Sequence, residues 1–288
     1  MSPLYEPVPG GPMLDGPVLV LGMEGWIDAG AGGQAALAAL LADVETTVVG
    51  RFDADALLDR RARRPVLRLV DGVIEGFNWP DIELRAGQDR AGHDLLVLSG
   101  PEPDFKWQRF ASEVVELAVG YGVRMVCGLG AFPAPVPHTR DVRLGSTATS
   151  AALAVQVGFV AGTMDVPAGM HAVLEGAFGQ AGVPAVGLWA RVPHYAAAMP
   201  YPAASVALLD ALRTVSGIEV DTEELQGAAR LARQRIDELI SNSDEHEQLV
   251  RQLEQALDSE ERSPFGPGDL PSGDEIAAEL ERFLRGER

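Results

Sequence analysis

The sequence predicts an α/β fold in which helices cross over a mostly parallel sheet, followed by a helical extension. Three observations carry this reading. All-apolar runs bounded by Gly or Pro, such as Val18–Leu21 between Pro17 and Gly22, have the length of strands buried on both faces. Strand, helix and strand at 93–100, 106–120 and 124–129 make a βαβ unit with a right-handed crossover. Beyond residue 216 the strand signals stop, and apolar residues recur at three- and four-residue spacing. The chain therefore divides into an N-terminal arm (1–16), an α/β core (17–216), a helical hairpin (217–260), and a linker with a terminal helix (261–288).

In order, the arm carries Pro3, Pro7, Pro9 and Pro12, which oppose regular structure, and is expected to lie on the surface. Val18–Leu21 is the first strand, and Gln34–Leu41 the first helix. Thr46–Phe52 is β-branched and reads as a strand. The stretch 53–64 is expected to be helical with Asp53 as N-cap. Val66–Val70 and Val73–Ile74 flank Asp71-Gly72, the dipeptide of a two-residue hairpin. Ile82–Arg85 and 93–100 are strands, and the helix from 106 to 120 presents Val114, Val115, Leu117 and Ala118, with Gly122 just past its end. A strand at 124–129 leads into a long loop, Gly130–Leu144, of the length that usually serves function. A short strand or turn follows at 145–149. Helices at 151–157 and 170–181, a strand at 184–190 and a helix at 203–215 complete the core. Leu225, Ala229, Ala232, Ile236, Leu239 and Ile240, then Leu249, Leu253 and Leu257, outline a helical hairpin broken at Ser241-Asn242-Ser243-Asp244.

Composition narrows the function classes. The formal net charge is −19, from 42 acidic and 23 basic residues, and 217–288 holds 19 of the acids against 8 bases. Phosphate backbones would be repelled, so nucleic acid is not an expected partner. No run reaches the roughly 20 apolar residues of a membrane span, and no signal peptide is read at the N-terminus. A cytoplasmic protein without a membrane partner is expected. The single Cys127 lies in an apolar run and excludes an internal disulfide.

The glycine-rich turn after the first strand, Gly22 to Gly33, is where an open α/β sheet would meet a ligand. Its glycines match neither the dinucleotide fingerprint nor a phosphate loop, Gln34 replaces the usual Lys, and Glu24 and Asp28 add negative charge. A tight corner with Trp26 at an interface is the preferred reading, with Asp28 and Gly30 ordering it. His138 and Arg140 on the long loop could supply an acid/base and an anion clamp, and His194 is a similar loop histidine. A surface or interface role is preferred for all three. His93, His171 and His246 show no H-x-x-x-H pair and are read as having no carboxylate at ligand spacing, so no metal site is expected. Ser146 lacks the G-x-S-x-G elbow. The sole lysine, Lys106, starts a helix beside Trp107 and near acids, which favours an ion pair over a Schiff base. No coherent catalytic set and no cofactor site emerge.

Gly25-Trp26-Ile27-Asp28-Ala29-Gly30, Phe77-Asn78-Trp79-Pro80, Gly100-Pro101-Glu102-Pro103-Asp104-Phe105-Lys106-Trp107, the run from Gly130 to Arg140, and Val192-Pro193-His194-Tyr195 together resemble the proteasome assembly chaperone family, in its actinobacterial branch. The resemblance runs from about residue 15 to 260. It implies a three-layer α/β/α sandwich of the phosphorylase/hydrolase-like kind with a helical C-terminal extension. It also implies self-association as a homo-oligomer, with a trimer as the expected form, and proteasome subunits as possible partners. Trp26, Asp28, Gly30, Trp79, Lys106, Trp107, His138, Arg140 and His194 are then the expected functional or interface loop residues. Archaeal relatives dock through a hydrophobic-Tyr-any tail. This sequence ends Gly286-Glu287-Arg288, so docking of that kind is not expected. Two enzymatic alternatives stay open: an ATP-dependent carboxylate-amine ligase, and a nucleoside phosphorylase or hydrolase using His138 and Arg140.

Overall fold

A computed structural model of the chain describes residues 3–160 and 162–261. In chain order its elements are β1 (Tyr5–Pro7), β2 (Val18–Glu24), α1 (Gly32–Asp43), β3 (Thr46–Phe52), α2 (Ala54–Leu57), β4 (Val66–Val70), β5 (Val73–Asn78), β6 (Glu83–Gln88) and β7 (Asp94–Pro101). Then come α3 (Trp107–Gly120), β8 (Met125–Ala134), β9 (Leu144–Ala148), α4 (Ala151–Val157), α5 (Met170–Gln180), β10 (Ala185–Pro193), α6 (Pro202–Ser216), α7 (Glu223–Ser241) and α8 (Asp244–Glu261). Eight strands form one sheet in the order β1-β3-β6-β7-β2-β8-β10-β9, and β4 and β5 pair apart from it. The centre, β7-β2-β8-β10, is parallel, while β6 and β9 join it antiparallel.

Strand periodicity sorts side chains into the layers. Val18 and Val20 of β2, with Leu95 and Val97 of β7, face α1 and α6. Leu19, Leu21, Leu96 and Leu98 face α3 and α5, where Phe110, Val114, Leu174 and Phe178 are buried. Because both faces are covered, the central strands read as continuous apolar runs rather than as alternating ones. Each fully buried Leu or Val contributes roughly 1.5–3 kcal/mol of transfer free energy. The three-layer sandwich thus has a core on each side of the sheet. The helices α7 and α8 continue one of them: Ile236 of α7 joins the α1/α6 side, and Val250 and Leu257 of α8 are buried.

Several local features differ from the reading of the sequence. The proline-rich arm supplies β1, which pairs with β3 at the sheet edge, and Leu4 beside it is buried. An edge strand of this kind accommodates Pro7 at its end. Residues 130–134, expected to open the long loop, continue β8 alongside β10, so the loop proper begins after Ala134. The helix expected over 53–64 is one turn only; Asp53 caps it by accepting from the Ala56 N–H (3.0 Å), and Leu58 turns to extended backbone. Asp71 and Gly72 both have positive φ, as a type I′ hairpin turn requires. The linker and helix expected within 262–288 lie outside the described residues.

The approach of α1 to β8 depends on Gly33. A Cβ there would lie 2.8 Å from the Leu129 carbonyl oxygen and 3.2 Å from the Gly130 Cα, backbone atoms that cannot swing aside. Gly33→Ala is expected to cost about 1–3 kcal/mol by overpacking, outweighing alanine's better helix propensity. At Ala31, whose φ is +53°, glycine relieves left-handed backbone, so Ala31→Gly is expected to be neutral or stabilising. Urea midpoints of the two variants check this; equal midpoints would refute the close approach.

Candidate functional site

The parallel strands end on one rim of the sheet, and the glycine turn stands there. Asp28 closes it: its carboxylate accepts from the N–H groups of Gly33 (2.8 Å) and Gln34 (3.0 Å), satisfying the first turn of α1. Burial raises the Asp28 carboxyl above its ordinary value, and those two N–H groups pull it back. Gly30, at φ +63°, donates to the Ala197 carbonyl (2.8 Å) and accepts from the Tyr201 N–H (2.9 Å). A Cβ on Gly30 would meet the Tyr201 Cβ at 2.6 Å, so glycine is required twice over. Trp26 is 56% exposed at the tip.

The N-terminus of α5 is closed in the same way by Glu102, from the turn after β7, whose Oε2 accepts from the Met170 N–H (3.0 Å). Both helix ends at this rim therefore hold carboxylates of the chain itself where an anionic ligand would sit. The void between them, lined by Met23, Trp26, Asp28, Glu102, His171 and Trp189 among others, measures about 20 Å³. That is room for a water-sized group, far below the few hundred Å³ of a small-molecule site.

Beneath the rim, α5 places two titratable residues against the sheet. His171 Nε2 accepts from the Met23 N–H (3.1 Å), which leaves the ring proton on Nδ1, and burial holds the imidazole down to about 4. Glu175 is 5% exposed and accepts from the Thr147 hydroxyl at Oε2 (2.6 Å), while burial pushes its carboxyl up to about 7. Contrary to the reading that no carboxylate lies at ligand spacing from these histidines, Glu175 follows His171 by four residues on α5, and Asp89 precedes His93 by four in the turn between β6 and β7 and bonds it (2.9 Å). Among the described residues no group of His, Cys, Asp and Glu is arranged to hold a metal ion.

His138 and Arg140 occupy a different place. His138 is buried, with Nε2 2.9 Å from Asp237 of α7 and Nδ1 2.7 Å from the Tyr195 hydroxyl. The same hydroxyl accepts the His138 backbone N–H (2.9 Å), so the Tyr195 proton is directed at Nδ1 and the Nε2 proton at Asp237. Burial pushes Tyr195 up to about 12, so it is no activated acid. Arg140 grips α8 with a fork, Nε and Nη2 to the two oxygens of Asp258 (3.1 and 3.0 Å) and Nη1 to Glu254 (3.0 Å). Thr139 also donates to Glu254, and Arg233 of α7 donates to the Thr139 carbonyl (3.3 Å). The residues that looked like an acid/base and an anion clamp hold the helical hairpin to the core.

The remaining candidates do not converge with these. His194 is exposed, its ring edge-on to Tyr195 at 5.4 Å. Trp79 stacks with Phe77 and lies under Arg60 at the base of the β4–β5 hairpin. Lys106 is exposed at the start of α3 with φ +58°, and the Trp107 indole donates to the Pro103 carbonyl. Sequence reasoning missed Glu175, Thr147, Trp189 and the acids of α7 and α8. Polar residues four apart on the buried face of an apolar helix were the available signal for the first.

Removing the Arg140 fork leaves Glu254 and Asp258 without that charge partner. Arg140→Ala is expected to speed amide exchange throughout α7 and α8 while leaving β2 and β8 unchanged, as read by hydrogen exchange with mass spectrometry. Uniform protection in both would refute the docking role.

The PAC2 family model matches residues 22–240 of this chain. A Mycobacterium tuberculosis protein of unknown function is 35% identical, with a TM-score of 0.83 over 90% of this chain and 92% of its own. A Corynebacterium glutamicum protein of unknown function is 30% identical, with a TM-score of 0.84 over 89% of this chain and 97% of its own. A Mycobacterium tuberculosis proteasome-assembly chaperone homologue is 35% identical, with a TM-score of 0.75 over 81% of this chain and 99% of its own. No curated protein matches the chain. The family match begins in the glycine turn's first residue and ends in α7, so it takes in the rim, both cores and the docked helix: the chain belongs to the PAC2 family.

Proposed function

We propose that this protein acts as a proteasome-assembly-chaperone-like factor, working through protein–protein contacts rather than through chemistry on a bound small molecule. The likeness to the Mycobacterium tuberculosis proteasome-assembly chaperone homologue carries the reading. The rim geometry supports it, because both helix N-termini hold internal carboxylates and the void between them is water-sized. Its proposed location is the cytoplasm, in keeping with a single, buried cysteine. No helix among the described residues is long and apolar enough to cross a membrane.

The test is native mass spectrometry and co-purification with proteasome α-subunits from the same source. A discrete complex, together with slowed proteasome maturation on deletion, is the expected result. No complex and normal maturation would overturn the reading.

Self-association as a homo-oligomer, with a trimer as the expected form, belongs to the same proposal. The β4–β5 hairpin supports it: Val66, Leu69, Val73, Ile74 and Phe77 are each more than half exposed. An isolated two-stranded hairpin is marginal in water, and an apolar patch of this kind usually marks a contact. Paired substitution Val73→Asp and Ile74→Asp is expected to lower the mass measured by light scattering to that of one chain, with the circular dichroism of the core retained. An unchanged assembly would remove the hairpin from the interface.

A further inference from the structure

The helix α5 is tied by side-chain hydrogen bonds to three strand ends. Its Met170 N–H goes to Glu102 after β7, its His171 ring takes the Met23 N–H of β2, and its Glu175 carboxyl takes the Thr147 hydroxyl of β9. The Thr147 oxygen in turn accepts from the Trp189 indole N–H (3.1 Å), so the chain Trp189–Thr147–Glu175 links β10, β9 and α5. Only one oxygen of the carboxyl is served by this. Glu175 Oε1 is buried and has no hydrogen-bond partner. It lies over Gly128 and Gly187, where an added Cβ on Gly187 would collide with it.

An ionised carboxylate in that position would leave one charged oxygen against backbone and apolar surface, which is costly. Among the groups around it the Thr147 hydroxyl favours the charged form, and it serves the other oxygen. From β9 comes Thr147, from β10 Trp189, and from β8 glycine, with the Cys127 thiol on the opposite face of the sheet. On α5 itself His171 is one turn away, held neutral by burial. Arg191 lies further along β10 and makes no hydrogen bond to Glu175, while Glu102 at the helix start is itself acidic.

We propose that Glu175 makes α5 a proton-dependent clamp: protonated, it seats the helix across the ends of β2, β7 and β9, and ionised, it loosens the helix together with the turns bearing Trp26 and Glu102. Burial raises this carboxyl to about 7, so its contribution is complete below the ordinary glutamate range and is lost as pH rises through about 7. His171 runs the other way. Its neutral ring contributes fully above the ordinary imidazole value, and that contribution falls away from there down to about 4, so it offsets the Glu175 slope over that window and is separated from it by comparison with a Glu175 variant.

Hydrogen exchange of the full chain, corrected for intrinsic rates and followed from mildly acidic to mildly alkaline buffer, tests the clamp. Relative to Glu175→Gln, opening of α5 in the wild type is expected to rise by up to roughly tenfold per pH unit between the ordinary glutamate range and about 7, and to level off above it, with α1 and α3 flat. Tryptophan fluorescence should show the same midpoint, and Trp189→Phe should remove that signal. Glu175→Gln is expected to keep α5 slow through neutrality, leaving only the His171 rise toward low pH. Thr147→Val removes the bond that favours the carboxylate and should move the midpoint upward, which decides the matter even where the glutamine variant folds poorly. A wild-type profile parallel to that of Glu175→Gln, or an unmoved midpoint in Thr147→Val, would overturn the proposal.

Discussion

The N-terminus of α1 aims unpaired N–H groups at the rim where β2 and β8 end, and Asp28 takes two of them. Much of the rim follows from that carboxylate. With the first turn of α1 satisfied from within the turn itself, the backbone between Glu24 and Gly33 has a fixed path. Gly30 then comes close enough to exchange two hydrogen bonds with the 197–201 segment ahead of α6. Glu102 does the equivalent at α5. An open α/β sheet ordinarily offers this crevice to a ligand, with the helix dipole favouring an anion. Here internal anions already exploit the dipoles, and what the rim presents outward is Trp26 and the backbone of a tight turn. The crevice of an open α/β sheet is therefore a poor guide to activity here.

The acidic extension is held by a related economy of charge. Its helices carry an excess of acids, yet Asp237, Glu254 and Asp258 face inward and meet His138, Thr139 and Arg140 on the loop after β8. Apolar anchors reinforce them: Ile236, Val250 and Leu257 are buried, while Leu231 and Leu239 stay exposed. Surface ion pairs alone contribute little. A forked arginine with three acceptors beside a buried histidine, set over an apolar seam, fixes the orientation of α7 and α8 rather than supplying most of their stability. A histidine, a threonine and an arginine within one loop thus have a structural explanation that requires no substrate.

What could be read in the sequence divides along physical lines. Val18–Leu21 and Leu95–Leu98 were legible because strands buried on both faces are apolar throughout. Asp71-Gly72 was legible because its backbone demands are local. The extension of β8 through Ala134 was not, since Gly130 and Pro133 signal a loop, and it is the register with Trp189–Pro193 of β10 that makes them strand. The same limit applies to the site. His138 and Arg140 could be singled out by type and loop position, but their partners lie about a hundred residues away in a segment whose placement no local pattern specifies. His171 and Glu175 failed differently. Four-residue spacing on an apolar helix was visible in the sequence, whereas the glycine floor of β8 and β10 that lets Glu175 bury exists only once those strands pair.

That floor also bears on how a chain of this kind can acquire responsiveness through a buried carboxyl. Gly128 and Gly187 are register partners on adjacent parallel strands, and the absence of side chains at both leaves just the depth a carboxyl needs. Filling that space with a methyl group and an apolar helix residue would satisfy packing with no unpaired oxygen, and by ordinary energetics would be the more stable choice. Retaining a carboxyl there puts a titratable group where α5 meets the strands, in the helix that also carries the ties to Met23 and Glu102. A proton at Glu175 and the conformation of the Trp26 rim are then coupled through one short helix, with no small molecule in the path.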